Sequence, residues 1–422
     1  MSAATQIEIQ WSELAALIGS AKLRVATAGD AVDGAQPQQI VEPESSSDVA
    51  AILKWAASRG VAVIPRGGAT KLGWGNPPAR ADLVLSTARM NKVLEHAWAD
   101  LTVTVEAGCT IQQLQQTLAQ HGQQLAIDPL WPERATVGGI LATNDSGSMR
   151  VCFGGLRDLI IGITVVLPDG TVAHSGGKVV KNVAGYDLQK LMTGALGTLG
   201  VITEAVFRLY PLPKETRTLS FAVRDYAEMQ RLLLAIQDST LEHTGLQARV
   251  GDYKVTVDVR FSGTSAGIEA RTKHAKALAC TELSSTSAET WLARESLFAT
   301  GGNLVICKFS VLPTELENFC STVDEQCDTF KVQRQFVIQA TGLGNLRLEA
   351  SDSRAVTSAM ARIRTAAEAG GGCLVILNCP REFKNVFDVW GGTGDTLPLM
   401  RRVKQQFDPG GTLNPGRFVG GI

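Results

Sequence analysis

The sequence predicts an α+β protein of more than one domain, and three observations carry that prediction. Its 422 residues exceed what one hydrophobic core usually organises. Strand-like and helix-like segments alternate along the chain, and Pro211 and Pro213 punctuate it where the pattern changes. Beyond Lys214, two rounds of strand-helix-strand units predict an antiparallel sheet covered on one face by helices, a ferredoxin-like α+β layer.

In order, Trp11–Ala21 reads as a short amphipathic helix and Gln39–Val41 as a strand. Ser47 is expected to cap a helix whose apolar positions Val49, Ile52, Leu53 and Ala56 keep helical spacing until Gly60. A buried strand follows over Val61–Pro65, with further strands over Asp82–Ser86 and Leu101–Ala107. Thr110–His121 reads as a capped helix, stopped by Gly122. Asp158–Pro168 and Thr171–Ser175 form a hairpin on the turn Pro168-Asp169-Gly170. A helix led by Gly185-Tyr186-Asp187-Leu188 then precedes a strand over Val201–Tyr210. The second layer is expected as strands at Thr218–Val223, Lys254–Phe261, Asn303–Leu312, Val332–Ala340, Asn345–Glu349 and Cys373–Cys379. Its helices fall at Tyr226–Ile236, Gly267–Cys280, Thr314–Cys327 and Ser353–Ala369, and Leu397–Phe407 is a helix in the tail.

Forty Lys and Arg against 41 Asp and Glu give a net charge of −1, so no electrostatic case exists for nucleic acid or anionic lipid. The N-terminus looks like neither a signal peptide nor a transit sequence, and no apolar run is long enough for direct membrane insertion. None of the eight cysteines forms a CxxC pair, which argues against a zinc or iron–sulfur ligand set, and no metal site is expected. The apolar neighbours of Cys307 and Cys373 point to buried, reduced thiols and a cytoplasmic location.

Two stretches carry chemistry. From Pro65 the chain reads Arg66-Gly67-Gly68-Ala69-Thr70-Lys71-Leu72-Gly73-Trp74-Gly75. Such glycines let successive amides point into one concavity that holds a phosphate, and Arg66 or Lys71 could add charge. The spacing matches neither the P-loop nor GxGxxG, and a tight turn is the plainer alternative. The second stretch is Pro129–Arg150. Gly138 and Gly139 remove Cβ atoms that would keep a ligand from the main chain, and Thr136, Thr143, Asn144 and Ser146 offer hydrogen-bonding groups around them.

With these, KNVAGYDLQKLMTGALGTLGVITEA and the tail FDPGGTLNPGRF stand in the order that resembles the FAD-linked oxidases of the vanillyl-alcohol oxidase or PCMH type. The resemblance spans residues 40 to 213 and the last 20. It implies a PCMH-type FAD-binding domain of two subdomains over 36–213, with an α+β cap over 214–390, a tail over 391–422 returning to the FAD domain, and an N-terminal helical segment over 1–35. It further implies that Pro65, Arg66, Gly67, Gly68, Ala69, Thr70, Lys71 and Leu72 receive the pyrophosphate. Thr136, Val137, Gly138, Gly139, Ala142, Thr143, Asn144, Ser146 and Gly147 should line the ribityl chain and ring. Gly200, Val201 and Ile202 should meet the flavin or the adenine end, with Pro129, Leu130 and Trp131 nearby and Asn414 reaching the ring from the tail.

Two departures matter. The loop at 65–75 has no histidine, where relatives often attach FAD covalently, so non-covalent FAD is expected. The last histidine is His274, so the C-terminal histidine motifs by which hydroxy-acid-oxidising relatives bind metal and substrate are missing. The resemblance therefore implies an FAD-binding subunit of a 2-hydroxy-acid (glycolate) oxidoreductase, partnered by a homologous FAD subunit and an iron–sulfur subunit and peripheral to the inner membrane through them. A self-sufficient oxidase of another small molecule and a structural subunit with an empty FAD fold stay open, and no catalytic residue is assigned. Asp145 reads as a carboxylate pairing with a backbone amide at a turn or as a catalytic group. His121 and His174 read as surface or capping residues, and Arg334, Arg347 and Arg381 as solvated or as carboxylate-binding. Cys307 reads as core rather than nucleophile.

Overall fold

In the computed structural model, described over residues 9–178, 185–251, 254–279, 288–299 and 303–422, helices and three main sheets alternate as expected for an α+β chain. The first sheet places Leu23–Val25, Gln39–Val41, Leu83–Ser86 and Val63–Arg66 side by side, with the last two strands parallel. The helix Ser46–Ser58 covers it, burying Val49, Ile52, Leu53 and Ala56 against Val63, Leu83 and Leu85. Its cap is Ser45 and not Ser47: the Asp48 amide donates to Ser45 Oγ at 3.1 Å, the first of three consecutive serines that could have served.

The second sheet is antiparallel, in the order Val93–Ala97, Thr102–Glu106, Val201–Arg208, Ile160–Val166, Val172–Gly176. Its two outer hairpins differ in legibility. The Pro168-Asp169-Gly170 turn is there, with Gly170 at φ +87°. Val93–Ala97 went unpredicted because its half-exposed Leu-Glu-His-Ala run shows no period-two pattern. Ile111–Ala119 packs Leu114 and Leu118 into the core of this sheet, and Thr110 accepts from the Gln113 amide at 3.2 Å.

The third sheet has seven antiparallel strands: Glu215–Val223, Lys254–Gly263, Gly245–Gly251, Gln333–Gln339, Leu343–Ala350, Asn303–Ser310 and Cys373–Asn378. The last four, with Leu316–Phe330 and Ser353–Ala369, make one split βαββαβ unit. The first three, with Tyr226–Gln237 and Ser265–Leu278, repeat that unit without its fourth strand, and the two halves join through Gly245–Gly251 and Gln333–Gln339. All four helices bury their apolar stripes on one face. Gly245–Gly251 was missed because a glycine at each end makes GLQARVG read as a loop. Two expectations fall partly outside the described residues: the helix end at Cys280 and the Lys181–Ala184 part of the third motif. Cys307 is fully buried, but Cys373 begins its strand exposed, so the buried-thiol reading fails there. No helix among the described residues is long and apolar enough to cross a membrane.

The tail decides where the site forms. After the helix Leu397–Phe407, the Val63 amide donates to the Thr412 carbonyl at 2.8 Å and the Asn414 amide to the Val63 carbonyl at 3.0 Å. The last residues thus run alongside Val63–Arg66 and bring Asn414 to the loop that follows it.

Candidate functional site

A groove runs between the first two sheets as two adjoining clefts that share Pro65, Gly67, Gly139, Ala142 and Leu196. One end is walled by Arg66, Gly138 and the turn from Leu199 to Ile202. The other holds Gly68, Ala69, Thr70, Lys71, Leu72, Thr136, Thr143, Asn414 and Arg417. Seventeen of the sequence-predicted positions thus meet in one place, since Gly200, Val201 and Ile202 join them from 130 residues away. The rest lie off the groove's surface. Val137 is core, Asn144 faces a neighbouring basic cleft with Arg150 and Arg157, and Pro129, Leu130, Trp131, Ser146 and Gly147 form a layer behind Lys71.

The loop has the electrostatics of an anion cradle. Among the described residues, the amides from Gly67 to Gly73 donate to no acceptor in the protein. Ala69 sits at φ +58°, the left-handed conformation that turns neighbouring amides to one side. The carbonyls just beyond are turned away and held. Arg417 Nη2 donates to the Leu72 carbonyl and, at 2.6 Å, to that of Trp74. Lys384 Nζ donates to the carbonyls of Gly73 at 2.5 Å and Gly75 at 2.9 Å.

The two loop cations are already committed. Arg66 Nη1 donates to Asp30 Oδ1 at 2.9 Å, and Arg24 also pairs with Asp30, so this carboxyl is held well below its usual range. Lys71 Nζ lies 3.2 Å from Asp145 Oδ2 and within 5.4 Å of the Trp131 ring centre. A diphosphate here would be met by the loop's amides and not by Arg66 or Lys71.

Asp145 is the hub of a buried cluster that joins the sheets. Its Oδ2 accepts the Leu130 amide at 2.9 Å, and its Oδ1 accepts from Arg294 Nη1 at 2.9 Å. Arg294, on the short helix Ala293–Ser296, also donates to the carbonyls of Ser146 at 2.8 Å and Asp128 at 3.1 Å. Burial pushes the Asp145 carboxyl up, but Arg294, Lys71 and the Leu130 amide outweigh it and leave it below its usual value. Lys71 is lowered because burial outweighs its pairing with Asp145. The amide contact expected of Asp145 is present, and the two ion pairs were not foreseen. Next to it, Trp131, at φ +54°, packs edge-on against Phe298, and its amide donates to Glu295.

Gly138 and Gly147 make room for protein neighbours, while Gly139 lines both clefts. Val137–Thr143 is a helix, capped by Thr136 Oγ1 accepting from the Gly139 amide at 3.3 Å and ended by Asn144 at φ +48°. The Val137 and Gly138 amides donate to the carbonyls of Cys109 and Ala107, so this terminus has no free donors for a ligand. A Cβ at Gly138 would stand 2.9 Å from Ala107 Cβ, and one at Gly147 2.6 Å from Asp128 Oδ2. Likewise a Cβ at Gly68 would stand 1.7 Å from the Arg134 carbonyl oxygen. The missing side chains let protein elements touch each other.

Two orphaned atoms mark where a ligand's polar groups would fit. Asn414 Nδ2 donates to the Leu196 carbonyl at 2.5 Å, while its buried Oδ1, on the groove, has no partner among the described residues. Arg417 Nε is likewise unpartnered, and burial lowers its guanidinium to about 10. The residues present therefore fit an extended dinucleotide. A cavity of about 460 Å³ beside Tyr226 lies elsewhere, at the third sheet. Its arginines are neutralised: Arg334 by Asp324 and Asp328, and Arg347 by Glu349. Arg381 lies against Gly34. His121 is exposed and stacks on Trp98, and His174, exposed too, pairs with Thr164.

Arg294, Lys384 and Lys308 escaped sequence reasoning because no motif surrounds them and only the fold brings them to the groove. Arg417 lay inside a quoted motif, where its charge was the available signal. Lys308, paired in register with Asn345, occupies the sheet face opposite the helices, within electrostatic range of Asp145. Its ammonium has no hydrogen bond or ion pair among the described residues, and burial pushes it down.

Comparison with known proteins falls on the same segments. The FAD binding domain family matches residues 37–176, and the C-terminal domain of FAD linked oxidases matches 392–418. The chain is 36% identical over 183 residues to glycolate oxidase subunit GlcD of Bacillus subtilis, covering 43% of this chain and 39% of that protein. It is 38% identical over 182 residues to D-lactate dehydrogenase of Archaeoglobus fulgidus, covering 43% and 40%. A D-2-hydroxyglutarate dehydrogenase of Xanthomonas citri is 33% identical over 201 residues, covering 48% and 43%. The chain thus matches less than half the length of these relatives. In fold it superposes on p-cresol methylhydroxylase with a TM-score of 0.77 at 14% identity, covering 96% of this chain and 95% of that one. For alkyldihydroxyacetonephosphate synthase the TM-score is 0.75 at 19% identity, covering 97% and 86%. The amide-lined loop and Asn414 lie on the two matched segments: the chain carries an FAD-binding domain and the C-terminal segment of FAD-linked oxidases, built on the PCMH-type fold.

Proposed function

We propose that this chain is a flavoprotein subunit of a 2-hydroxy-acid oxidoreductase of the glycolate oxidase kind, holding FAD non-covalently. The observation that carries this is the run of unpartnered amides from Gly67 to Gly73, opposite Asn414 on the same groove. The relatives' names supply the substrate class: glycolate, D-lactate and D-2-hydroxyglutarate share a carboxylate beside an alcohol carbon. In this reading residues 36–213 form the FAD domain, 214–390 the cap and 391–422 the returning tail.

Bound FAD would supply a redox centre that takes up electrons and passes them on. The chain's own part is to bind and to exclude water. The loop amides would hold the diphosphate, Leu199–Ile202 close one end of the groove, and Asn414 Oδ1 would accept a hydrogen bond from the cofactor. Arg294 and Asp145 shut the side facing the third sheet. With no histidine beyond His274, removal of the alcohol proton is assigned to a homologous FAD partner, and the electrons pass on to an iron–sulfur subunit. This places the chain in a cytoplasmic complex, at the membrane only through its partners.

Lys308 favours a second reading, in which this chain binds an acid of its own. An ammonium without a partner among the described residues, within electrostatic range of Asp145, is suited to a substrate carboxylate. Reconstitution separates the readings. The chain should take up FAD released intact by acid, with absorbance at about 450 nm. Anaerobic glycolate or lactate should leave that band unchanged under the first reading and bleach it under the second. Absence of flavin uptake overturns both and leaves an empty FAD fold.

A further inference from the structure

Lys384 is among the most thoroughly satisfied cations in the molecule, and its position links two parts of the fold that sequence separates by some 300 residues. It lies on the short helix Arg381–Val386, which follows the last strand of the third sheet. Its side chain is 2% exposed. An ammonium has three donors, and here each has an acceptor: Asp33 Oδ2 at 2.6 Å, the Gly73 carbonyl at 2.5 Å and the Gly75 carbonyl at 2.9 Å. Arg381, one turn earlier, lies against Gly34, where a Cβ would overlap its guanidinium at 2.0 Å. One face of this helix therefore grips both the turn at Asp33 and the far side of the phosphate loop.

Within a peptide plane the C=O and N–H point in opposite directions. A donor on the Gly73 carbonyl thus turns the Trp74 amide back toward the Lys71 carbonyl, to which it donates at 3.1 Å. That bond closes the turn whose preceding amides are free. Arg417 on the Leu72 carbonyl acts in the same sense on the Gly73 amide.

We propose that Lys384 is a positioning residue for the cofactor loop. By holding the Gly73 and Gly75 carbonyls it keeps the loop's amides preorganised for a diphosphate, and it makes docking of the third sheet part of FAD affinity. The inference rests on the FAD reading above, and wild-type titration tests that reading separately.

The test is equilibrium titration of the full-length apoprotein with FAD, followed by quenching of flavin fluorescence, beside thermal melts of each apoprotein. Lys384→Met should weaken FAD binding by about tenfold to a hundredfold, the scale of lost charge-assisted hydrogen bonds. Because this variant strands Asp33 in a buried site, the double variant Lys384→Met with Asp33→Asn should recover the melting temperature but not the FAD affinity. Lys384→Arg, which keeps the charge and donors, should recover part of the affinity. Arg381→Ala, which loosens the same helix but leaves the carbonyls held, should bind FAD like the wild type. Wild-type affinity in the double variant would reduce Lys384 to a counter-ion of Asp33 and overturn the proposal. An equal loss in Arg381→Ala would assign the effect to helix docking and overturn it too. A wild-type chain that takes up no FAD overturns the underlying reading.

Discussion

At the scale of single residues, charge is spent on holding the groove's walls together. Asp30 neutralises Arg66, and Asp145 neutralises Lys71 and Arg294, so the groove meets its ligand with backbone. Asp145 is buried together with Lys71, and the side chain of Arg294 beside them is 11% exposed. Asp145→Asn leaves two cations buried without their counter-charge and is predicted to destabilise the chain at pH 7 by about 3 to 5 kcal/mol. The sign of its pH dependence follows from its lowered carboxyl. A depressed folded value gives stability that is whole above the unfolded value, near 3.8, and is lost as pH falls through the folded one. Urea titrations between pH 7 and pH 3 should therefore show a smaller acid-side loss in Asp145→Asn than in the wild type. Parallel profiles would rule out this role.

At the scale of elements, Val137–Thr143 shows how a loop-like sequence becomes a helix. Thr136 caps it, and the missing side chain at Gly138 lets its first turn lie on Ala107, just past the strand Thr102–Glu106. The prediction here separates capping from loop packing. Thr136→Val should cost about 1 kcal/mol as a lost cap. Gly68→Ala has no room against the Arg134 carbonyl, so it should displace the loop and abolish measurable FAD uptake while sparing most of the fold. Far-ultraviolet circular dichroism with flavin titration reads both. FAD uptake unchanged in Gly68→Ala would mean that the loop can shift without losing its cradle.

At the scale of the whole molecule, three separate chain regions join the helix Val137–Thr143 in building one groove: the loop after Val63–Arg66, the turn before Val201–Arg208, and the tail beside Val63. Lys404 ties the tail to the turn, donating to the carbonyls of Thr198 at 2.8 Å and Leu413 at 2.9 Å and pairing with Asp408 at 2.6 Å. A ligand seated among all three binds only the folded chain, so FAD at a hundred times its dissociation constant should raise stability by about 2.7 kcal/mol. Scanning calorimetry with and without FAD checks this, and an unshifted transition would place the ligand elsewhere.

The sequence by itself determined the α+β class, most helices to within a few residues, and the four motifs that face the groove. These are local properties: Ser353–Ala369 and Leu397–Phe407 matched their expected bounds because caps and apolar spacing lie within one helix. Glycine-rich order likewise marked the loop at 67, but not which neighbour required it. Only the tertiary structure decided that Gly68 and Gly138 make room for protein backbone and side chain, that Asp145 binds cations from two other regions, and that Lys308 stands unpaired. Only it decided that the loop's carbonyls are held by Lys384 and Arg417, leaving its amides free. The physical reason is that a hydrogen bond or ion pair depends on distance in space. Arg294 lies 149 residues from the carboxylate it holds, and Lys384 and Arg417 lie 311 and 345 residues from the carbonyls of Gly73 and Leu72; nothing in their immediate sequence records the partner.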